Sequence, residues 1–232
     1  MNPGSDKNAI AVVGTGRVGA ALGPRFAALG FAVIYGSRDP SRAAVAELVE
    51  RTGRGATAAS VSDAVARSDW VLFAVPWSAM ENLVATTAGS LNGKIVIDVT
   101  NALKIGDDGL MAMAVPTSAG EMLQSWAPEA RVVKAFNTMG FHVMADPGAA
   151  GGRVSVPLAG DDADAKRAVA RVVEQLGFDA VDVGPIKHAR ALEYMSVLYM
   201  VPYLQGRRDE AFEFYFRTGT TPENDEGVRP AE

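Results

Sequence analysis

A doubly wound α/β fold with a mostly parallel sheet, followed by a small helical C-terminal lobe, is what this chain predicts. Three observations carry the prediction. Apolar, strand-sized runs alternate with helix-sized segments along most of the chain. Several of these runs are near-continuous in Val, Ile and Leu, the pattern of parallel strands buried on both faces. The first run, Ile10–Val13, passes directly into Gly14-Thr-Gly16-Arg-Val-Gly19 and then into a helix of small residues, the order of a Rossmann-type nucleotide-binding unit.

The remaining strand-like runs are Ala32–Tyr35, Trp70–Val75, Lys94–Val99, Arg131–Phe136, Ser155–Leu158 and Ala180–Val183. Helices are expected over Gly19–Leu29, Ser41–Arg51, Val61–Ser68, Ala79–Ala88, Ser118–Trp126 and Asp164–Leu176. Asp39-Pro-Ser41 and Asp161-Asp-Ala163 supply the short polar acceptors that helix starts use. After Gly184-Pro185 the character changes. His188 to Leu204 is one apolar helix rich in Met and Tyr, Asp209 to Arg217 a short amphipathic piece, and Thr218 to Glu232 a polar segment expected to be a mobile tail. The expected organisation is therefore a binding domain over 9–184, a helical lobe over 185–217 and a tail over 218–232.

Composition narrows the function classes. The 232 residues, 48% hydrophobic and 21% charged, suit a globular protein with a full core. A net charge of −5 offers no basic footprint for nucleic acid. No run approaches the roughly 20 residues of a membrane helix, and no secretory signal pattern opens the chain. With no cysteine there is no thiolate nucleophile or Cys-ligated zinc, which fits a cytoplasmic location; two histidines without ligand spacing argue against a metal site.

In the glycine turn, Gly14 permits the sharp exit from the strand, Gly16 lets backbone approach a pyrophosphate, and Gly19 lets helix and strand pack closely. The second strand distinguishes between nicotinamide cofactors. A carboxylate at its tip would accept from a free ribose hydroxyl; here the strand ends Tyr35-Gly-Ser-Arg38, and Ser37, Arg38 and Arg42 suit a 2′-phosphate instead. The expected cofactor is NADP(H). Arg17 meets either pyrophosphate or solvent. Trp77, closing Ala74-Val75-Pro76-Trp77, either covers the cofactor or belongs to the core. Asn101, in Asp98-Val-Thr-Asn101, either meets the nicotinamide ribose or caps a turn.

Phe136-Asn-Thr-Met-Gly140 follows a strand and is expected at the same sheet edge, where Asn137 and Thr138 can hold a carboxamide or substrate carbonyl, or simply stabilise the turn, and Met139 can pack against a ring. Lys187, His188 and Arg190 are the most concentrated polar groups near the last helix, either receiving an anionic acceptor or lying in solvent. No proton-transfer constellation stands out. Hydride transfer between two rings demands chiefly their positioning, so this is no obstacle to that chemistry.

With these residues in hand, the chain resembles the NADPH-dependent F420 reductases and the cytosolic oxidoreductase domain of the STEAP metalloreductases. The likeness runs over roughly residues 9 to 205, through Gly-Thr-Gly-Arg-Val-Gly, Tyr-Gly-Ser-Arg, Val-Pro-Trp, Val-Val-Lys-Ala-Phe-Asn-Thr and Pro-Leu-Ala-Gly-Asp-Asp. The resemblance implies hydride transfer from NADPH to a deazaflavin (F420) or a flavin (FMN or FAD). It implies that Gly14, Thr15, Gly16, Arg17 and Val18 face the pyrophosphate and that Ser37, Arg38 and Arg42 take the 2′-phosphate. Val75, Pro76 and Trp77 would line the cofactor, with Asn137, Thr138 and Met139 at the nicotinamide. The turn Pro185 to Arg190 and the following helix would complete an acceptor pocket, with a homodimer expected from the apolar helix. Phe-Asn-Thr-Met-Gly and Lys-His-Ala depart from the corresponding F420 reductase turns, which leaves the small-molecule acceptor open. Reduction of an imine or carbonyl compound and a non-catalytic NADPH sensor are the competing readings.

Overall fold

Each apolar run folds as a strand, and the order in which the strands pair decides where a ligand can lie. The structure, a computed structural model, describes residues 9–206 and 214–216. The chain begins with β1 (Ala9–Val13), α1 (Arg17–Ala28), β2 (Ala32–Gly36), α2 (Ala43–Thr52), β3 (Thr57–Ala59) and α3 (Val61–Ala66). It continues through β4 (Trp70–Phe73), α4 (Trp77–Leu91), β5 (Ile95–Asp98), β6 (Leu103–Ile105), β7 (Met111–Met113), α5 (Ala119–Trp126) and β8 (Arg131–Lys134). There follow α6 (Phe141–Ala145), β9 (Ser155–Leu158), α7 (Ala163–Gln175), β10 (Asp179–Asp182) and α8 (Ala189–Leu204).

Six strands form one parallel sheet in the order β3-β2-β1-β4-β5-β8. The chain winds outward in one direction from β1 and in the other from β4, so the switch point lies between these two strands. Beyond their carboxyl ends the crossovers diverge and leave a crevice. Alternation along the strands builds two cores. Ile10, Val12, Leu72, Ile97 and Val133 pack with α1 and α7 residues on one face, while Ala11, Val13, Phe73, Val96 and Val132 pack with α3, α4 and α5 residues on the other.

Two predicted runs do not join this sheet along their length. β9 and β10 form a separate parallel pair, and Ala159, just after β9, makes an isolated antiparallel bridge with Lys134 of β8. Pro157 lies within β9 and has no N–H to give a second neighbour. Ser155 turns instead to residues 214–216, donating from N to the Phe214 carbonyl and accepting at Oγ from Phe216 N.

Element boundaries shift by a few residues from expectation. Asp162 caps α7 as predicted, accepting from Ala165 N, whereas Asp39 caps no helix: its Oδ1 accepts from Ser41 N, and α2 begins only at Ala43. Three features were not expected. Strand β3 is three small residues without apolar alternation, α6 is one short turn, and the antiparallel hairpin β6–β7 stands in the crossover between β5 and α5. No described helix is long and apolar enough to cross a membrane. The expected piece over Asp209–Arg217 falls largely, and the tail over Thr218–Glu232 wholly, outside the described residues.

Candidate functional site

The crevice beyond β1, β2 and β4 is a cleft of about 920 Å³, lined among others by Gly14, Thr15, Gly16, Ser37, Arg38, Arg42, Val75 and Pro76. The glycines behave as their spacing demands. Gly14 has φ +111°, and a Cβ there would strike the Ala74 carbonyl; a Cβ on Gly19 would strike the Gly14 carbonyl. A Cβ on Gly16 would meet nothing within 4 Å, because Gly16 faces the open cleft. Gly16 is also the N-cap of α1, with no side chain capping it and no acid in the first turn. Uncapped N–H groups and the positive end of the helix dipole therefore face the cleft, an environment suited to phosphate.

At the far wall Ser37 Oγ and the Asp39 backbone hold each other at 3.1–3.2 Å, and Arg38 and Arg42 are exposed to the cleft. Asp39 shares this wall. Its carboxyl is held below the usual carboxylate range by the Ser41 hydroxyl, which donates to Oδ1 at 2.7 Å. Two guanidinium groups against one carboxylate leave the wall cationic. Ser78, Ala79, Asn82 and Leu83 complete it on the α4 side, one helical face at i, i+1, i+4 and i+5. Sequence reasoning missed Asn82, although its spacing from the Val75-Pro76 turn carried the signal.

Trp77 is turned off this face. Its indole stacks on Trp126 of α5 at 5.6 Å, so it does not line the cleft, contrary to the first of the two roles expected for it. Arg17 and Val18 also lie outside the cleft lining. Arg17 reaches over the Phe141 ring at 5.3 Å, and Val18 packs on the core.

A second cavity of about 240 Å³ is lined by Asn101, Asn137 and Met139 together with residues of the hairpin and of α8, including Ser196 and Tyr199. Asn101 and Asn137 are thus brought together as predicted spacing alone could not show: Asn137 Nδ2 donates to Asn101 Oδ1 at 2.9 Å and to the Leu192 carbonyl at 2.9 Å. Asn137 Oδ1 and Thr138 Oγ1 are buried without a hydrogen-bond partner among the described residues. A buried polar atom left unpaired costs about 1–3 kcal/mol, so these two atoms call for a ligand group or water. The preceding Phe136, fully buried, is held at φ +61°, a left-handed conformation rare for an aromatic residue.

His188 and Arg190 are not brought to this cavity. Arg190 forms a two-pronged ion pair with Glu121 at 2.7 Å on both arms, and His188 Nδ1 donates to the Val183 carbonyl. The short turn Ile186–His188 does not line the cavity, and α8 contributes Ser196, Tyr199 and Met200 to its wall instead. Sequence reasoning also missed Lys134. Its fully buried ammonium lies between Asp98 Oδ2 at 2.6 Å and Glu193 Oε1 at 2.8 Å. Burial works against its charge, but the two carboxylates outweigh burial and raise its pKa above the ordinary lysine value. A lysine inside the apolar run Val132-Val-Lys-Ala-Phe136 was the available signal, since such a charge stays buried only with partners.

Several known proteins are similar to this chain. The family described as NADP oxidoreductase, coenzyme F420-dependent, matches residues 9–102. The F420-dependent NADP reductase of Methanothermobacter thermautotrophicus is 31% identical over 207 residues, covering 82% of this chain and 86% of that protein. Rat metalloreductase STEAP3 is 28% identical over 186 residues, 79% of this chain; the match spans 35% of that relative's length. A crystal structure of a candidate F420-dependent NADP reductase from Arthrobacter sp. FB24 superimposes with a TM-score of 0.79 at 33% identity, over 89% of this chain and 99% of that one. On these likenesses, this chain belongs to the family of coenzyme F420-dependent NADP oxidoreductases.

Proposed function

We propose that the protein transfers hydride between NADPH and a deazaflavin (F420) or flavin acceptor, with the nicotinamide at the amide-lined cavity. The observation that carries this reading is the pair of buried, unpartnered atoms Asn137 Oδ1 and Thr138 Oγ1 at the carboxyl edge of the sheet. Asn137 Oδ1 is an acceptor and suits a carboxamide N–H; the Thr138 hydroxyl can donate or accept. When bound, the dihydronicotinamide supplies the hydride. The protein's part is to bind, orient and exclude water.

The N–H groups at the start of α1 hold the pyrophosphate, and the open space at Gly16 admits it. Ser37, Arg38 and Arg42 bind the 2′-phosphate; an arginine fork recognises phosphate through parallel charged hydrogen bonds. Val75 and Pro76 line the path between the two ends, and Met139 packs against the ring side of the cavity. Leu103, Met111 and Met200 give the acceptor an apolar wall, while Asn101 is fixed by its bond from Asn137.

The outer face of α8 exposes Tyr194 and Leu198, each more than half accessible, and we place a second copy of the chain against it as a homodimer. Light scattering tests this, and a monodisperse monomer refutes it. The reading of the reaction is tested by following NADPH oxidation with F420, FMN and FAD as acceptors. Turnover with at least one of them is expected. Tight NADPH binding with no turnover on any of the three overturns the reading in favour of its competitors, and turnover on an imine or carbonyl compound then separates a reductase of such substrates from a sensor.

A further inference from the structure

Beside the amide-lined cavity lies a charged cluster that the roles above leave unused. Lys134 on β8 binds Asp98 of β5 and Glu193 of α8 and donates to the Thr100 carbonyl at 2.6 Å; all three charged side chains are fully buried. Asp98 Oδ1 accepts from Thr100 N at 2.9 Å and Thr100 Oγ1 at 2.7 Å. Glu193 Oε2 accepts from Ala102 N at 2.9 Å and Ala119 N at 3.1 Å, and Oε1 from Gly120 N at 3.4 Å. Both carboxylates meet only donors, the surroundings of ionised acids. Two carboxylates on one ammonium leave one negative charge in excess, offset only in part by the N-terminus of α5 that points at Glu193.

The cluster touches the cavity wall through its immediate neighbours. Thr100 and Ala102, both tied into it, bracket Asn101. Glu193 follows Leu192, whose carbonyl receives Asn137 Nδ2. None of the described residues lining the cavity carries a charge that would mask the cluster. Away from water its field is weakly screened.

We infer that the buried Asp98–Lys134–Glu193 cluster, with its excess negative charge, poises the cofactor by favouring the cationic nicotinamide of NADP+ over the neutral ring of NADPH. The inference rests on the nicotinamide lying at Asn101 and Asn137, as proposed above. In the transfer, the ring's C4–H bond breaks and both its electrons leave with the hydrogen to the acceptor, so one positive charge appears on the ring. A fixed negative charge nearby lowers the energy of that product and makes bound NADPH the stronger donor. Asp98 and Glu193 are positioning residues in this scheme, acting through their field and through Thr100 and Ala102, the neighbours of Asn101 that they hold.

The test is equilibrium binding by titration calorimetry of NADP+, NADPH and 2′,5′-ADP, which has no nicotinamide. Glu193→Gln keeps the side-chain volume and one acceptor oxygen but removes the excess charge. Its ratio of Kd for NADP+ to Kd for NADPH should rise about 5- to 20-fold, the size expected of a unit charge acting across one layer of side chains. Asp98→Asn should shift the ratio in the same direction. Unchanged affinity for 2′,5′-ADP reports that a variant is folded. Equal weakening of both dinucleotides, the signature of a merely structural role, overturns the inference. In the wild type, which needs no variant to fold, NADP+ should bind at least as tightly as NADPH, and the reverse order also overturns it. Failure of the underlying placement looks different: Asn137→Ala would then leave both dinucleotides and 2′,5′-ADP binding as in the wild type.

Discussion

The two ends of the proposed cofactor site are built on opposite principles. The phosphate end is backbone and open space: a glycine turn, uncapped N–H groups, and arginines exposed on a cleft wall. The nicotinamide end is side chains locked in the interior: paired asparagines, a buried aromatic with φ +61°, and a lysine between two carboxylates. An open wall contributes to affinity while adding little to folding. A buried cluster carries a large share of local stability, because each member is costly if a partner is lost. Substitutions at the phosphate end should therefore cost binding and little stability, whereas those in the buried cluster should cost stability as well as binding.

The sharpest way to break this contrast is Lys134→Met. It strands two carboxylates in the interior, and chemical denaturation should show a loss of about 3–5 kcal/mol. A loss below about 1 kcal/mol, the level of an exposed pair, would mean that the cluster is not the anchor of α8. At the other end Arg38→Ala should leave the melting temperature almost unmoved while weakening NADPH by about 1.5–3 kcal/mol, the worth of hydrogen bonds to a charged group. NADH should be little affected. Equal loss for both cofactors would remove the 2′-phosphate assignment.

Gly16→Ala refines the same contrast. Gly16 has φ −79° and open space where a Cβ would stand, so the substituted protein should fold normally. The added methyl then crowds the phosphates alone, weakening NADPH about tenfold, the effect of about 1.4 kcal/mol of crowding. A protein that instead melts early would show that Gly16 serves the fold.

The smallest effect concerns Glu121 and Arg190. The Glu121 carboxyl is held below its usual value first by its hydrogen bonds to the Arg190 guanidinium, and further by the Ser118 hydroxyl and the charges of Arg190 and Lys187, against a contrary effect of burial. A lowered folded pKa contributes stability that is present above the unfolded value of 4.5 and lost as pH falls through the folded one. Glu121→Gln should therefore flatten the dependence of melting temperature on pH below 4.5 and leave NADPH binding unchanged. An unchanged acid limb would show that the pair adds nothing to stability.

The same contrast explains what the sequence makes legible. The phosphate end is read from two short stretches, Gly14–Gly19 and Tyr35–Arg38, because its function depends on local backbone geometry. The parallel sheet follows equally from local runs; Ser155–Leu158 is a strand as read, but that it pairs with β10 outside the main sheet depends on partners distant in sequence. At the nicotinamide end, Glu193 accepts from Ala102 across 91 residues and Arg190 reaches Glu121 across 69. No window of sequence holds both partners. Two readings therefore stayed open for Arg190 and for Trp77, until the fold paired Arg190 with Glu121 and turned Trp77 towards Trp126.

The hairpin β6–β7 has its ends fixed and its middle free. Ala102 is fastened to Glu193, and Ala114 N returns to the Ala102 carbonyl, so the chain re-enters the fold where it left. Between these anchors Ile105 and Leu110 stand largely exposed, and neither belongs to the core of the domain. Such a segment is exchangeable. It can be lengthened, shortened or grafted while the sheet, the dinucleotide crevice and the ionic anchor keep their places. If the acceptor lies where proposed, diversification of its choice, by evolution or by an engineer, has here a site where change costs the scaffold little.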